Sequence, residues 1–199
     1  MTLPNKLTLL RILLAPLFAV AVFWDNPWAY LAAFILLTLA ALTDLIDGHI
    51  ARKTNSHSAF GRFADPLADK LYVLTALFSF VALGVAPLWP VLVILWREMI
   101  VTTLRAYAAH RGVEVPSSKL GKAKTMLQMI AVLAILAHLT LRSLLPHLGI
   151  AWGEGLEYWW SVADYALIGI SAAQALISGI VYIWNAREVI ASGLHGEDK

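Results

Sequence analysis

The chain has 199 residues, of which 60% are hydrophobic and only 14% are charged, and its mean hydropathy is +0.72. Soluble domains carry about 25% charged residues, so this composition excludes an ordinary water-soluble protein and indicates a polytopic membrane protein. The formal net charge of +2 is small, no nucleic-acid partner is expected, and the absence of cysteine excludes a disulfide scaffold and thiolate chemistry.

Six apolar segments predict an all-α polytopic membrane protein with six transmembrane helices, in one membrane domain that comprises residues 1–199. Each segment is near the roughly 20 residues that a helix needs to cross a bilayer. The first segment, with Lys6 and Arg11 near its start, also resembles a signal peptide, but the equally apolar segments after it favour a first membrane anchor. The predicted spans cover residues 7–23, 28–45, 67–87, 88–109, 125–145 and 161–184.

The distribution of lysine and arginine predicts the side of the membrane on which each connection lies. These residues concentrate in the N-terminal segment, in the connections 48–70 and 105–124, and in the C-terminal tail, whereas the opposite connections contain only Arg142. Positively charged loops stay in the cytoplasm, so both termini and the connection 48–70 are expected on the cytoplasmic side of the membrane. An aromatic belt at the other side is indicated by Trp24, Trp28, Trp89, Trp152, Trp159 and Trp160.

Acidic residues beside the second predicted span form the most informative stretch of the sequence. On a helix, Asp44, Asp47, Gly48 and Ala51 share one face, because the last three follow Asp44 by three, four and seven residues. The two small residues leave room for a bulky ligand near the backbone. Arg52 stands one position further round, and its planar guanidinium group suits phosphate oxygens. This face therefore predicts a ligand that contains phosphate.

A second acidic stripe follows shortly afterwards. Gly61, Asp65 and Asp69 repeat every four residues, and Pro66 directly after Asp65 predicts a helix that starts there, with Asp65 as its N-cap. Two helices would then aim two carboxylates each at one point. Hard oxygen ligands in this number suit Mg²⁺ or Mn²⁺ bound together with substrate phosphates, as in a two-metal diphosphate site. The alternative, that the acids only cap helices and balance nearby cations, does not account for the glycine and alanine on the first face.

Charged residues also interrupt the second half of the chain. Arg97 and Glu98 lie within the predicted fourth span, where a charged pair is not expected to face lipid. Two interpretations stay open for this pair: an ion pair that fixes helix packing, or a contact with substrate. Further on, Ser118, Lys122 and Lys124 surround the start of a predicted helix whose N-terminal amides favour anions. A solvated positive loop explains the charge of this segment equally well.

The acidic stretch also carries a resemblance to a known family. From Asp44 to Asp69 the sequence reads DxxDGxxAR, eight residues, and GxxxDxxxD, and it is similar at every position to the signature of the CDP-alcohol phosphatidyltransferase family. The resemblance implies six transmembrane helices with a cytoplasm-facing active-site cavity that holds the acids. It also implies two divalent cations, Mg²⁺ or Mn²⁺, on the diphosphate of a CDP-linked lipid, release of CMP, and a homodimer among the membrane lipids.

The N-terminal segment resembles the same family. The run from Pro4 to Arg11 is close to the family's PNxxTxxR pattern, which implies that Asn5, Thr8 and Arg11 belong to a nucleotide or phosphate pocket. The alternative is an interfacial helix cap, followed by an arginine whose side chain extends back to the membrane surface.

The segment between residues 97 and 128 looks like the branch of the family whose acceptor is sn-glycerol 3-phosphate. Arg105, Ser118, Lys122 and Lys124 would supply the cationic pocket that a dianionic acceptor needs. The implied reaction moves the phosphatidyl group of CDP-diacylglycerol to this acceptor, giving phosphatidylglycerophosphate and CMP in phospholipid biosynthesis. The alternatives are another acceptor within the family (inositol phosphate, serine or phosphatidylglycerol) and a divalent-cation transporter, which would place its carboxylates near the membrane midplane.

The resemblance also implies roles for single residues of the acidic stretch. The expected metal ligands are Asp44, Asp47, Asp65 and Asp69, with Asp44 and Asp65 shared between the two ions. Asp69 is also the candidate for the base that takes the acceptor's hydroxyl proton. The residues expected to hold the nucleotide and its phosphates are Gly48, Arg52 and Ser58.

The resemblance covers roughly the first two-thirds of the chain. From about residue 131 onward the sequence shows only the character of membrane helices. Four histidines show no pattern of partners, and no functional role is predicted for them: His110, His138, His147 and His195.

Overall fold

A computed structural model of the protein describes residues 3–24, 26–54, 59–112 and 119–187, and it describes side chains for 8–24, 26–43, 68, 70–112, 121 and 124–187. Within these ranges the chain forms six α-helices and no strand, which confirms the all-α class. The helices are α1 (Leu3–Val22), α2 (Ala29–Thr54), α3 (Ala59–Ala82), α4 (Leu88–His110), α5 (Lys119–His147) and α6 (Glu154–Asn185).

Each predicted span falls on one of these helices, but two helices extend further into the acidic stretch than the apolar pattern indicated. Helix α2 continues to Thr54, and α3 begins at Ala59. The prediction of a helix start at Asp65 and Pro66 is therefore wrong, because Pro66 lies inside α3. A proline in a helix removes one backbone hydrogen bond, and packing against neighbouring helices in a membrane bundle compensates for it. Helix α3 has such a neighbour in α1, against which it packs.

Successive helices run antiparallel, so the twelve helix ends divide into two sets of six. The end of the bundle where α2 ends and α3 begins is named the motif end, and the other end is named the opposite end. At the opposite end, Ser143 Oγ near the end of α5 donates a hydrogen bond of 3.1 Å to the carbonyl of Pro27, just before α2. Trp28 meets His147 edge to face with ring centroids 6.1 Å apart. The six tryptophans predicted to form an aromatic belt lie at this opposite end.

A single apolar core runs through the middle of the bundle. Helix α1 packs against α2 and α3, α5 packs against α2 and α6, and α6 also packs against α4. Every helix contributes at least one fully buried side chain to this core, namely Phe18, Leu37, Phe80, Ile94, Ile135 and Ile168. These contacts fix the positions of all six helices relative to one another, and so they position the polar residues on either side of the core.

The outer surface of the bundle is apolar. Leu13, Leu17 and Val20 on α1, and Ile177 and Ile180 on α6, are all about half exposed. Large exposed apolar faces of this kind are typical of contact with lipid. Two segments are long and apolar enough to cross a membrane, Lys124–His147 in α5 and Glu154–Asn185 in α6, while α1, α2 and α3 contain shorter apolar stretches. These features indicate a helical membrane protein.

Candidate active site

The four aspartates of the acidic stretch lie on two helices that share a neighbour. Asp44 and Asp47 are in α2 and Asp65 and Asp69 are in α3, and α1 packs against both helices. Their side chains lie outside the described residues, so their convergence stays a prediction. The same holds for the side chains of Asn5, Arg52 and Lys122, for the surroundings of Gly48, and for the whole of Ser58 and Ser118.

Two of the predicted N-terminal pocket residues are described, and both face the interior. Thr8 and Arg11 lie one helical turn apart on α1 and are buried. Because the guanidinium group of Arg11 is enclosed, the alternative in which this arginine extends to the membrane surface is wrong. The polar face of α1 points into the bundle, where α2 and α3 also pack.

A cluster of charged residues connects α3, α4 and α5 in the motif-end half of the bundle. The Lys124 ammonium group donates a hydrogen bond to Glu98 Oε1, and Arg97 Nη1 lies 3.3 Å from the same oxygen. On α3, Lys70 Nζ donates to Thr102 Oγ1 of α4. We name these five residues the cationic cluster. The sequence predicted Lys124 as a substrate-binding residue and left two interpretations open for Arg97 and Glu98. The structure joins all three in one group.

The electrostatics of the cationic cluster favour an anion. Arg97 and Lys70 are close enough to interact with the Lys124 charge, and Glu98 is the one carboxylate among the five residues. The side chains of Lys124, Arg97 and Glu98 are only 6%, 11% and 12% exposed, so water screens these charges weakly. Lys70 directly follows Asp69 in α3, which places the cationic cluster one residue from an expected metal ligand.

Helix α6 contributes to this half of the bundle, which sequence reasoning did not find. Gly179 faces Arg97 so closely that a Cβ at this position would lie 3.0 Å from Arg97 Cγ. The Arg105 guanidinium group lies over the ring of Tyr182, 5.7 Å from its centroid. Arg105 therefore packs on α6 at the bundle surface and is not brought into contact with Lys124. The sequence signal for this close approach is the spacing of Ala175 and Gly179, since small residues four apart let membrane helices pack tightly.

A second polar cluster lies in the opposite half, between α5 and α6. His138 Nδ1 is 2.6 Å from Asp164 Oδ2, and His138 Nε2 is 3.4 Å from Glu157 Oε2. Glu157 also accepts a hydrogen bond of 2.7 Å from Trp152 Nε1 and pairs with Arg142 at 3.0 Å. We name these five residues, together with Trp160, which stacks on the His138 ring, the histidine cluster. The sequence shows no pattern of partners for His138, and the structure supplies its partners from α6.

These features define a class of protein: a helical membrane protein that presents buried cations beside a pair of helices bearing four aspartates. Comparison with known proteins makes the class more specific. The model of the family named CDP-alcohol phosphatidyltransferase matches residues 1–163. The chain belongs to this family, whose members use divalent metal ions.

Relatives from three bacteria carry the same name, CDP-diacylglycerol–glycerol-3-phosphate 3-phosphatidyltransferase. The protein of Bacillus subtilis (strain 168) is 45% identical over 148 residues, which are 68% of this chain and 77% of that protein. The protein of Pseudomonas fluorescens is 38% identical over 144 residues, 69% of this chain and 73% of that protein. The protein of Cereibacter sphaeroides is 33% identical over 199 positions, 98% of this chain and 81% of that protein. The last similarity includes the final third of the chain.

The donor groups present suit a divalent metal ion. Carboxylate oxygens are the hard ligands that Mg²⁺ and Mn²⁺ prefer, and the backbone puts two aspartates on each of two helices at spacings of three and four residues. At these spacings the aspartates of one helix share a face. The metal ligands expected from the sequence are therefore compatible with the observed helices.

Proposed function

We propose that this chain transfers the phosphatidyl group of CDP-diacylglycerol to sn-glycerol 3-phosphate and releases CMP. The family and the names of the relatives support the phosphatidyl transfer. The observation that carries the choice of acceptor is the buried cationic cluster beside Asp69, because a phosphorylated acceptor brings two negative charges that cations must meet.

In this proposal the four aspartates hold two divalent ions, Mg²⁺ or Mn²⁺. When bound, the ions neutralise the diphosphate and stabilise the charge that develops on the departing CMP. Gly48 leaves space for the nucleotide, and Arg52 and Ser58 hold its phosphates. Asn5 and Thr8 complete the nucleotide side of the pocket, in agreement with the interior position of Thr8 on α1.

The acceptor side of the pocket is assigned to Ser118, Lys122 and Lys124, and Arg105, which packs on Tyr182 and does not contact Lys124, is assigned to its outer edge. A hydroxyl oxygen of glycerol 3-phosphate attacks the β-phosphorus of CDP-diacylglycerol, the bond between this phosphorus and the CMP oxygen breaks, and CMP leaves with the bonding electrons. Asp69 takes the proton of the attacking hydroxyl group. Of the four assigned residues, Lys124 has the strongest structural support, since it is buried next to α3.

The test of this function is a reaction of the purified protein with CDP-diacylglycerol, Mg²⁺ and a panel of acceptors. We expect phosphatidylglycerophosphate and CMP with glycerol 3-phosphate, and little product with inositol phosphate, serine or phosphatidylglycerol, as measured by mass spectrometry of the lipids. A preference for another acceptor, or the absence of CMP release, would overturn the proposal. Release that needs both substrates and the metal also separates an enzyme from a cation transporter.

The proposal places the whole chain as one six-span domain in the bacterial cytoplasmic membrane, as a homodimer, with the active site on the cytoplasmic side. The charge distribution supports the orientation, because among the described residues Arg142 is the only lysine or arginine near the opposite end of the bundle, while Arg97 lies close to the middle of α4. The absence of cysteine makes a direct test simple. We expect Leu148→Cys to react with an impermeant maleimide in intact cells, and His110→Cys to react only after permeabilisation. The reverse pattern would overturn the orientation.

A further inference from the structure

Glu98 is shared by two buried cations. Its Oε1 accepts a hydrogen bond from the Lys124 ammonium group of α5, 26 residues away in the chain, and lies 3.3 Å from Arg97 Nη1 on its own helix. Lysine has a long flexible side chain that carries a compact charge, so its ammonium group stays in one place only where a partner holds it. Glu98 is the residue that fixes the position of the Lys124 charge in this structure.

Among the residues whose side chains the structure describes, the charges of this group are not balanced. Two positive side chains face one carboxylate, and all three are largely removed from water. A group whose only role was to join helices would be expected to pair its charges, because an excess buried charge is costly. An anion that binds beside the group would restore the balance.

Unused hydrogen-bond donors lie in the same group. Arg97 Nε and Gln128 Nε2 are buried and have no hydrogen-bond partner among the described residues. Gln128 lies one helical turn after Lys124 on α5, so both side chains project from one face of that helix. Buried donors are almost always paired in native proteins, and unpaired ones call for a ligand or a water molecule. An excess positive charge with spare N–H donors fits a phosphate monoester.

We propose that Glu98 is a positioning residue for the acceptor: it holds Lys124 and Arg97 where they bind the phosphate of glycerol 3-phosphate, to which Gln128 also donates. This inference rests on the proposed function. Glu98 does not touch the substrate itself, since its negative charge would repel the phosphate. Its effect on the reaction passes through the position and the charge of Lys124.

The test is the substitution Glu98→Gln, which keeps the shape of the side chain and removes its charge. We expect the KM for glycerol 3-phosphate to rise about tenfold or more, the energy equivalent of one charge-assisted hydrogen bond, while the KM for CDP-diacylglycerol changes less than about twofold. Glu98→Asp, which retains the carboxylate, should recover part of the loss. A role confined to helix packing would not separate the two KM values.

Glu157→Gln is the matched control, because Glu157 is also ion-paired but lies in the histidine cluster of the opposite half. We expect it to leave both KM values unchanged.

If Glu98→Gln does not fold, as judged by thermal unfolding in detergent, Gln128→Met removes only the spare donor and should still raise the KM for glycerol 3-phosphate several-fold. An unchanged KM in the folded variants, or equal effects of Glu98→Gln and Glu157→Gln, would overturn the inference. Failure of the wild-type protein to make phosphatidylglycerophosphate would instead overturn the proposed function.

Discussion

The cationic cluster and the histidine cluster contain similar kinds of residue but differ in their balance of positive and negative charges. Both join neighbouring helices through buried ionisable side chains, and both contain a pair separated by 26 residues, Lys124 with Glu98 and His138 with Asp164. In the histidine cluster two carboxylates face one arginine and one histidine, whose two ring nitrogens both approach carboxylate oxygens. A protonated imidazole ring satisfies both contacts. In the cationic cluster one carboxylate, Glu98, faces two cations among the described residues, Arg97 and Lys124.

This difference indicates how a structural cluster is told from a binding site. The His138 ring stacks with both Trp152 and Trp160, with centroid separations of 5.8 and 5.2 Å, so aromatic side chains occupy much of the space around it. In or next to the cationic cluster, two buried donors, Arg97 Nε and Gln128 Nε2, have no partner among the described residues, whereas the unpartnered buried atom of the histidine cluster is an acceptor, Asp164 Oδ1. Burial and ion pairing are therefore common to both kinds of cluster. The excess charge and the unused donors indicate a ligand.

The largest effect on turnover is expected for a substitution in the acidic stretch. Asp69→Asn should lower turnover by about 10²–10⁴-fold with the protein still folded, because it removes the candidate base and an expected metal ligand. Asp164→Asn makes the same chemical change in the histidine cluster and should retain the turnover of each folded molecule. CMP release at saturating substrate measures both variants. Substantial residual activity in Asp69→Asn would refute its role as base.

A substitution in the histidine cluster should lower the stability of the protein. Asp164 and His138 are both buried, and loss of one partner of a buried pair typically costs about 3–5 kcal/mol. We expect Asp164→Asn to lower the free energy of unfolding by about this amount, as measured by denaturant unfolding in detergent below the temperature at which the variant inactivates. A variant as stable as the wild type, but without activity, would reverse the roles assigned to the two clusters.

A smaller effect, on stability and on the KM for glycerol 3-phosphate, is expected for a substitution at Gly179, where α6 packs against Arg97. Gly179→Ala would place a methyl group 3.0 Å from Arg97 Cγ, and overpacking of this kind costs about 1–3 kcal/mol. The displaced Arg97 should also raise the KM for glycerol 3-phosphate. Gly169→Ala on the same helix is the control, since a Cβ there meets nothing within 4 Å. Equal KM values in the two variants would show that Arg97 adjusts without consequence for the acceptor.

The smallest effect is expected at the exposed edge of the histidine cluster. The Arg142 side chain is 49% exposed, and ion pairs with this exposure contribute at most about 1 kcal/mol. Arg142→Ala should therefore change the unfolding midpoint only slightly, and the change should shrink further at high salt. A loss as large as that of Asp164→Asn would mean that the charge of Glu157 depends on Arg142 more than the geometry indicates.

The sequence was sufficient for features that depend on nearest neighbours along the chain. Apolar runs located all six helices, and the spacing of four aspartates identified two helical faces. It was not sufficient where a distant helix decides the outcome. Packing against α1 lets α3 start at Ala59 despite Pro66, and the partner of His138 lies on another helix. Helical periodicity predicts which face of its own helix a residue occupies, but it does not predict which other helix packs against that face.

The contact between Gly179 and Arg97 links the part of the chain that matches the family to the part that follows the match. The match to the family ends at residue 163, yet Gly179, which lies beyond that limit, determines how much space the Arg97 side chain of α4 has. A chimaera that keeps all four aspartates but takes its final helix from a relative would change the residues packed against Arg97. Under the proposed function, this exchange should alter acceptor binding while the four aspartates stay in place.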